Sequence, residues 1–517
     1  MSAPLRAAMV RFSTLDSSLW PRVVRALASL GFNAIDVPLV WREHTLPDGR
    51  LDFTSRNLDV RAFLAIVAGE GMRAVVRLGP WPTSDVSSLG LPDRVLRDRA
   101  SQARTRRQNP VYVLDLPGLS PLPSVASAAY RRACAEWVRA AVAALGPHAN
   151  DGTVARVIVG HGPPAVLRDD PFEIDHHPDA RGDVPAQAPP HRAPREAAVE
   201  EVTRQSLHER AFLLGLSDAA RAEGIDDDKI ALAVTGSALA SPVAMSLGGE
   251  RPLVLAAPPT RAGVTGIWRQ VRFACSFGAA PHLDLRAGNP PFEPPTRATH
   301  TLHAARVALA AGARDVTVQM GCSGTGWIGA LLDERADVRP HAARWQALLT
   351  WAATLPEGRE LGVDLSVRAK DAIGARAATG VNPLPLGLLA WVGFAPEELA
   401  AQGALPPSDL DDVEHSLAEK AVAFRRVLRA DDAVDDPSAR DAERWASLAP
   451  KVSPEGAALV RVVERDGARA VVVVSKVEGP IKVSPPEEGR WRDEAGVVDG
   501  PRPLPGGEVT VLREVVS

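Results

Sequence analysis

The sequence predicts an α/β protein: a (β/α)8 TIM barrel followed by a small helical region and a C-terminal β-domain. Over the first two thirds of the chain, short runs rich in β-branched residues alternate with longer amphipathic runs, which is typical of parallel strands connected by helices. Eight such runs occur, and eight strands close a barrel. Near the C-terminus the pattern changes to the two-residue period of hairpins.

The eight apolar runs predict the barrel strands in chain order. A parallel strand that is covered on both faces forms a nearly continuous hydrophobic run. The runs are RAAMVRF, FNAIDVPLV, MRAVVRL, VARVIV, KIALAVTG, RPLVLAA, PHLDLRA and RDVTVQM. Because the loops that follow barrel strands share one face, we expect the functional site at the C-terminal ends of these runs.

Amphipathic segments between these strands predict the outer helices, and several end at a glycine, as helix C-termini often do. Examples are LWPRVVRALASLG, LDVRAFLAIVAGEG, AYRRACAEWVRAAVAALG, GVTGIWRQVRFACSFG and THTLHAARVALAAGA. Together the strands and helices predict a barrel over residues 1–355.

Two insertions interrupt the barrel pattern, at about residues 82–125 and 162–195. Both follow predicted strands, so we expect both to lie over the barrel mouth. Residues 356–450 predict a connecting region with one clear helix, and residues 451–517 predict the small β-domain.

Composition limits the classes of partner. The chain has 517 residues, 45% of them hydrophobic and 24% charged, which indicates a globular protein. A net charge of −4 gives no general reason to expect nucleic acid or a membrane surface as a partner. The basic run RDRASQARTRRQ is interpreted as a solvated loop, with a local contact to a polyanion left open.

Cysteine usage and the N-terminus indicate a cytoplasmic protein. The three cysteines are far apart and lack CxxC spacing, which predicts neither a disulfide framework nor a cysteine zinc site: Cys134, Cys275 and Cys322. The N-terminus has no sustained apolar region, and no run reaches the roughly 18 apolar residues of a membrane span.

The most specific pattern lies in LWPRVVRALASLGFNAIDVPLVWREHTLPDGRLDFTSRNLDVRAFLAIVAGEGMRAVVRLGPWPTSDVSSLGLP. It resembles the N-terminal half-barrel of glycoside hydrolase family 35 β-galactosidases and, more distantly, family 42. The family pattern is GxNxI, a Trp after strand two, GxxDFxxxxDLxxF, and RxGP followed by an acidic residue and GLP. The matching positions here are Gly31, Asn33, Ile35, Trp41, Gly49, Asp52, Phe53, Asp59, Phe63, Arg77, Gly79, Pro80, Asp85, Gly90, Leu91 and Pro92.

A second segment, from Pro281 to Leu348, is similar to the last two βα units of the family. The resemblance implies that Asp284 occupies the position of the nucleophilic glutamate and that Gly288 is the glycine that follows it. It also implies a β-galactoside-like carbohydrate ligand and no cofactor.

The chain departs from the family at the acid. Members carry an Asn-Glu pair at the end of strand four, where this chain has His161 and Gly162. Tyrosines that line the sugar site at strands two and eight are replaced by Pro38 and by residues 317–320. Retaining hydrolysis needs two carboxylates about 5 to 5.5 Å apart, so the catalytic acid is predicted to be lost.

Each candidate residue has a structural alternative. Asp284 is either a surviving nucleophile or a polar strand-end residue that is satisfied by an arginine such as Arg286. His161 is either a proton donor or a histidine held within the strand-end network. Candidate sugar contacts, which could equally be core or loop residues, are Trp41, Trp81, Asp85 and Trp327.

The acidic run DDPFEIDHHPD lacks fixed metal-ligand spacing, so no metal is predicted there; Asp170 or Glu173 could supply a relocated acid. Three hypotheses remain open. The first is a glycan-binding barrel with little or no hydrolysis. The second is an active glycosidase that uses Asp284 with an acid from residues 162–195 or with His161. The third is a non-enzymatic scaffold with a protein partner or a homo-oligomer.

Overall fold

The structure is a computed structural model that describes residues 4–361 and 450–515 with gaps. The positions that it does not describe within these ranges are 84–85, 116–117, 162–174, 183–194, 234–251, 258–267, 269–270, 272–280, 289–297, 323–325, 455–456, 476, 478 and 488. The connecting region predicted at 356–450 therefore lies almost wholly outside the described residues.

Eight parallel strands close into a barrel, so the predicted fold class is confirmed. The strands are β1 (Arg6–Val10), β2 (Ala34–Pro38), β3 (Arg73–Trp81), β4 (Val154–His161), β5 (Ile230–Ala233), β6 (Leu253–Ala257), β7 (His282–Arg286) and β8 (Asp315–Cys322). Each lies within or overlaps one of the eight apolar runs. Strand β1 pairs with both β2 and β8, which closes the barrel.

Of the helices in the described part, the six longer ones cover the outside of the barrel, while Asp93–Leu96 and Pro178–Arg181 lie in the two insertions. The helices are α1 (Trp20–Ser29), α2 (Val60–Gly69), α3 (Asp93–Leu96), α4 (Ala128–Leu145), α5 (Pro178–Arg181), α6 (Arg195–Ala222), α7 (Ala298–Ala310) and α8 (Ala342–Ala352). Helix α2 begins where the side chain of Asp59 accepts a hydrogen bond from the backbone N–H of Ala62 at 2.9 Å. The helix predicted at residues 263–278 lies largely outside the described residues. Among the helices of the described part, none is long and apolar enough to span a membrane.

The pleat of each strand sorts its residues into two clusters. One set, including Ile35, Val76 and Leu283, packs outward against the helices in the main core. The alternate set, including Ala34 and Val75, faces the barrel interior in a smaller cluster. Several of these inward residues are alanines, which leave room in the interior for longer polar side chains.

The C-terminal β-domain consists of two antiparallel sheets. Its strands are β9 (Arg359–Leu361), β10 (Lys451–Ser453), β11 (Ala458–Arg465), β12 (Ala468–Ser475), β13 (Ile481–Ser484), β14 (Trp491–Asp493), β15 (Gly496–Val498), β16 (Arg502–Leu504) and β17 (Val509–Glu514). The larger sheet has the order β9-β11-β12-β17-β14-β15, and the smaller has the order β10-β13-β16. Strand β12 is apolar on both faces because Val471 packs within the β-domain while Val472 joins the barrel core.

Candidate functional site

A network of buried polar side chains fills the interior of the barrel. Its members occupy inward positions on four strands: Asp36 on β2, Arg77 on β3, His282 and Asp284 on β7, and Thr317 and Gln319 on β8. Barrel closure brings them together, since β2 adjoins β3 while β7 adjoins β8. Charged groups are seldom fully buried unless they are paired, so their contacts decide what the site can do.

Arg77 lies between two carboxylates. Its Nε donates to both oxygens of Asp36, at 2.9 and 2.8 Å. Its Nη1 donates to Oδ2 of Asp284 at 2.8 Å, and its Nη2 donates to Oδ1 of the same residue. The side chains of these three residues are at most 2% exposed. The guanidinium thus binds Asp284 through two parallel hydrogen bonds, the strongest geometry that arginine offers a carboxylate.

Burial and charge act in opposite directions within this network. Burial by itself would lower the pKa of Arg77, but Asp284 and Asp36 raise that pKa above its ordinary value. Burial raises the pKa of Asp284, while Arg77 opposes the shift. Two carboxylates, Asp36 and Asp284, share the single positive charge of Arg77. A proton on one of them would remove the excess negative charge of the group. The charged form of Asp284 therefore depends on Arg77.

Thr317 extends the network to His282 and fixes its tautomer. The single hydroxyl proton of Thr317 is donated to Oδ2 of Asp36 at 2.7 Å. The 2.8 Å contact between Nε2 of His282 and Oγ1 of Thr317 must then be donated by the imidazole N–H. Burial lowers the pKa of His282 well below its ordinary value, and nearby Arg77 lowers it further. His282 is therefore neutral, with its proton on Nε2.

Asp36, His282 and Asp284 come close enough to suggest a cation site, with one ligand atom of each within 4.8 Å of the others. The guanidinium of Arg77 already lies between the two carboxylates. A metal ion would have to displace this side chain or withstand its repulsion. We therefore assign both carboxylates to Arg77.

Asp284, in the predicted nucleophile position, is the third of the five residues of β7 and is 3% exposed. Both of its oxygens accept hydrogen bonds from Arg77, and Oδ2 also accepts one from Gln319 at 3.2 Å. Its arginine partner is Arg77 and not Arg286, the neighbour suggested by the sequence. The guanidinium of Arg286 instead lies 5.9 Å from the ring centroid of Trp327.

The three predicted tryptophans have different surroundings. Trp41 is 1% exposed and stacks on Trp137 at 5.6 Å, so it packs within the core. Trp327 lies in the loop that follows β8, is 2% exposed, and packs with Met9 and Met320 in a small buried cluster. Trp81 is the last residue of β3, at the rim of the barrel. Trp81 and Trp327 are thus the predicted tryptophans nearest the opening.

The predicted acid position lies at the end of β4. The strand ends at His161, whose backbone pairs with that of Trp81 at the rim. Gly162 follows directly and lies outside the described residues, as does Asp85, the predicted sugar contact of the third loop.

The two insertions contact each other. Oδ1 of Asp175 accepts hydrogen bonds from the backbone N–H groups of Arg104, at 3.0 Å, and His177, at 2.8 Å. The side chain of Asp179 accepts a hydrogen bond from the backbone of Ala128 at the start of α4. Residues 175–182 therefore dock on the third loop, while Asp170 and Glu173 of the same acidic run lie outside the described residues.

Sequence reasoning missed the two other charged residues of the network, Arg77 and Asp36. Arg77 was noted only as part of the RxGP motif, and Asp36 only as part of an apolar strand. One local signal was present, because a single carboxylate within the apolar run AIDVPLV needs a buried partner. The identity of that partner, Arg77, depends on the pairing of β2 with β3.

Comparison with known proteins confirms the resemblance. Residues 3–116 match the family model for glycosyl hydrolases family 35. The chain is 26% identical to beta-galactosidase-1-like protein 3 of Rattus norvegicus over 123 residues, which are 24% of this chain and 19% of that protein. It is 27% identical to beta-galactosidase-1-like protein 2 of Homo sapiens over 107 residues, 21% of this chain and 17% of that protein. The match thus spans less than a fifth of these relatives.

The solved structures extend the likeness along the whole chain. A β-galactosidase from Bacillus circulans sp. alkalophilus is 9% identical with a TM-score of 0.66 and covers 99% of both chains. Gan42B, a family 42 β-galactosidase from G. stearothermophilus, is 10% identical with a TM-score of 0.59, covering 99% of this chain and 98% of that chain. At these identities the likeness establishes the fold.

Proposed function

Starting from a family 35 β-galactosidase-like barrel, we propose that this protein binds a β-galactoside-like glycan at the barrel mouth and has little or no hydrolytic activity. The ligand class comes from the resemblance. The lack of hydrolysis is argued from the chain's own residues.

The state of Asp284 carries the proposal. A nucleophile of a retaining glycosidase must present a carboxylate oxygen to the anomeric carbon. Here both oxygens of Asp284 accept hydrogen bonds from Arg77, and the residue is 3% exposed within the barrel. Asp is also one methylene shorter than Glu, and a misplacement of about 1 Å can cost about 10²-fold in rate.

The acid position supports the same conclusion. Gly162 has no side chain that could protonate a leaving oxygen, and a positioned general acid typically contributes about 10²- to 10⁴-fold. A missing acid at Gly162 and the pairing of Asp284 with Arg77 should each slow retaining hydrolysis.

Hydrolysis is tested with 4-nitrophenyl β-D-galactoside and with the more reactive 2,4-dinitrophenyl compound. We expect no release from the first above the buffer rate and at most weak release from the second, which needs little protonation. Asp284→Asn should leave these rates unchanged. Hydrolysis of the 4-nitrophenyl compound at ordinary enzymatic rates that Asp284→Asn abolishes would show that the proposal is wrong.

Binding is tested by titration calorimetry with a β-1,4-galactooligosaccharide. Trp327→Phe should weaken binding, because Trp327 lies in the loop that follows β8, on the ligand face of the barrel. Trp345→Phe is the matched control, since Trp345 is equally buried but lies on α8, outside the barrel. No heat of binding with the unmodified protein, or equal weakening by both variants, would contradict a glycan site at the mouth.

A further inference from the structure

Six arginines are concentrated in the loop that follows β3. We call this set the arginine rim: Arg94, Arg97, Arg99, Arg104, Arg106 and Arg107. Between Arg94 and Arg107 the chain contains one acidic residue, Asp98, whose oxygens accept hydrogen bonds from the backbone of Ala100 and the hydroxyl of Ser101. This local excess of positive charge contrasts with the net charge of −4 of the whole chain.

Most of the rim has no carboxylate partner among the described residues. Arg97 pairs with Asp93 at 3.1 Å, but its side chain is 81% exposed, so water screens the pair strongly. Arg94, Arg99 and Arg107 are exposed as well, and Arg106 is half-buried. Exposed guanidinium groups of this kind can bind an external anion.

The rim lies on the ligand face of the barrel. It belongs to the loop between β3 and α4, and loops that follow barrel strands share the face where TIM-barrel sites form. The guanidinium of Arg94 lies 5.6 Å from the ring centroid of Trp41, which follows β2 on the same face. The rim therefore lies on the same face of the barrel as the opening.

Hydrogen bonds hold the loop in place. The carbonyl of Ala100 accepts a hydrogen bond from the hydroxyl of Ser127 at 2.5 Å. Ala103 donates its backbone N–H to Leu122 at 2.8 Å, and the backbone of Arg104 is held by Asp175. A fixed loop orders less backbone on binding, which favours affinity.

We propose that the arginine rim binds the anionic substituents of a sulfated galactan whose sugar backbone enters the barrel mouth. This inference rests on the proposed function, and it specifies the class of glycan. The planar fork of arginine matches the oxygens of a sulfate in a bidentate manner. The position of the rim on the face where TIM-barrel sites form favours a glycan that also enters the mouth over nucleic acid.

The test compares one sulfated galactan oligosaccharide with its desulfated counterpart by titration calorimetry. The sulfated form should bind more tightly to the unmodified protein. Arg106→Glu together with Arg107→Glu should weaken its binding about tenfold at 50 mM salt, since an exposed ion pair contributes roughly 0.2 to 1 kcal/mol. The loss should fall to about twofold at 500 mM salt, because salt screens exposed charges.

The matched control is Arg490→Glu with Arg492→Glu, two exposed arginines of the β-domain with the same spacing to within one residue. This variant should bind the sulfated form normally. Equal weakening by both double variants would attribute the effect to net charge and overturn the proposal. A single-stranded oligonucleotide that binds as tightly as the sulfated form, with the same dependence on Arg106 and Arg107, would also overturn it.

Two further outcomes separate this inference from the proposed function. If both oligosaccharides bind equally and the rim variant has no effect, the arginine rim is not a sulfate site, while glycan binding stands. If neither binds, both the proposed function and this inference fail.

Discussion

Removing Arg77 should strongly destabilise the barrel. In Arg77→Met, the carboxylates of Asp36 and Asp284 lose the guanidinium that donates hydrogen bonds to both. Among the described side chains, Asp36 then keeps one hydrogen bond from Thr317, and Asp284 keeps one from Gln319. Breaking a buried ion pair by removing one partner costs roughly 3 to 5 kcal/mol. Because two carboxylates lose the same partner here, we expect a loss near the upper end, about 5 kcal/mol in the free energy of unfolding at pH 7.

The loss of stability in Arg77→Met should be larger at neutral pH than at acidic pH. Burial already raises the pKa of Asp284, and without Arg77 nothing of comparable charge opposes that rise above the ordinary value of about 4. A group whose pKa is raised by folding contributes stability that is present below its unfolded pKa and lost as the pH rises through its folded pKa. Arg77→Met should therefore approach the unmodified protein at pH 4 and diverge from it as the pH rises to 7.

Urea unfolding followed by tryptophan fluorescence at pH 4, 5.5 and 7 measures both effects. The matched control is Arg77→Met with Asp36→Asn and Asp284→Asn, which removes the charges together and should recover most of the loss. A cost below about 1 kcal/mol for the single variant at pH 7, or a cost that is the same at pH 4, would refute the reasoning.

Three further predictions concern single contacts. Gly160→Ala should cost at least about 2 kcal/mol, because φ is +110° and the added Cβ would lie 2.5 Å from the carbonyl oxygen of Ala233. Gly152→Ala, where φ is +91° and the space around the added Cβ is open, should cost about 1 kcal/mol. Thermal unfolding compares the stabilities of the two variants. Asp52→Asn should lower stability slightly at pH 6 and less at pH 2, since the Ser55 hydroxyl and nearby backbone lower the pKa of Asp52 to about 2 and its stabilisation is lost as the pH falls through that value. Asp175→Ala should cost about 1 to 2 kcal/mol and speed tryptic cleavage of residues 99–107, because two backbone N–H groups lose their acceptor.

Each of these has an outcome that contradicts it. Equal melting temperatures for the two glycine variants would show that the end of β4 tolerates a side chain. An Asp52→Asn difference that is as large at pH 2 as at pH 6 would mean that the carboxylate is not the stabilising group. An unchanged cleavage rate in Asp175→Ala would show that residues 175–182 do not hold the third loop.

The sequence alone determined the eight barrel strands, four of the eight described helices (α1, α2, α4 and α7) and the family resemblance. These features follow from local signals. A covered parallel strand must be apolar on both faces, and a helix must repeat its apolar residues every three or four positions. The RxGP and GxNxI motifs are local as well, so they were recognised without knowledge of the fold.

The site shows what local signals could not determine. The sequence identified Asp284 as a strand residue in the nucleophile position, but it suggested Arg286, two residues away, as an alternative partner. The observed partner, Arg77, is 207 residues distant in the chain. Side chains alternate across a strand, so Arg286 points inward like Asp284 but one layer nearer the mouth, beside Trp327.

Tertiary structure also decided why Gly288 is a glycine. The sequence placed it only as a family glycine after the nucleophile position. In the fold, the loops after β7 and β8 approach each other closely at Gly288. A Cβ at this position would lie 1.8 Å from the backbone oxygen of Ile328 and would prevent that approach. Periodicity fixes which residues form strands and which face inward, because it depends on neighbours in the chain. Which buried charge pairs with which, and which loops touch, depends on strand pairing and barrel closure, which join residues far apart in sequence.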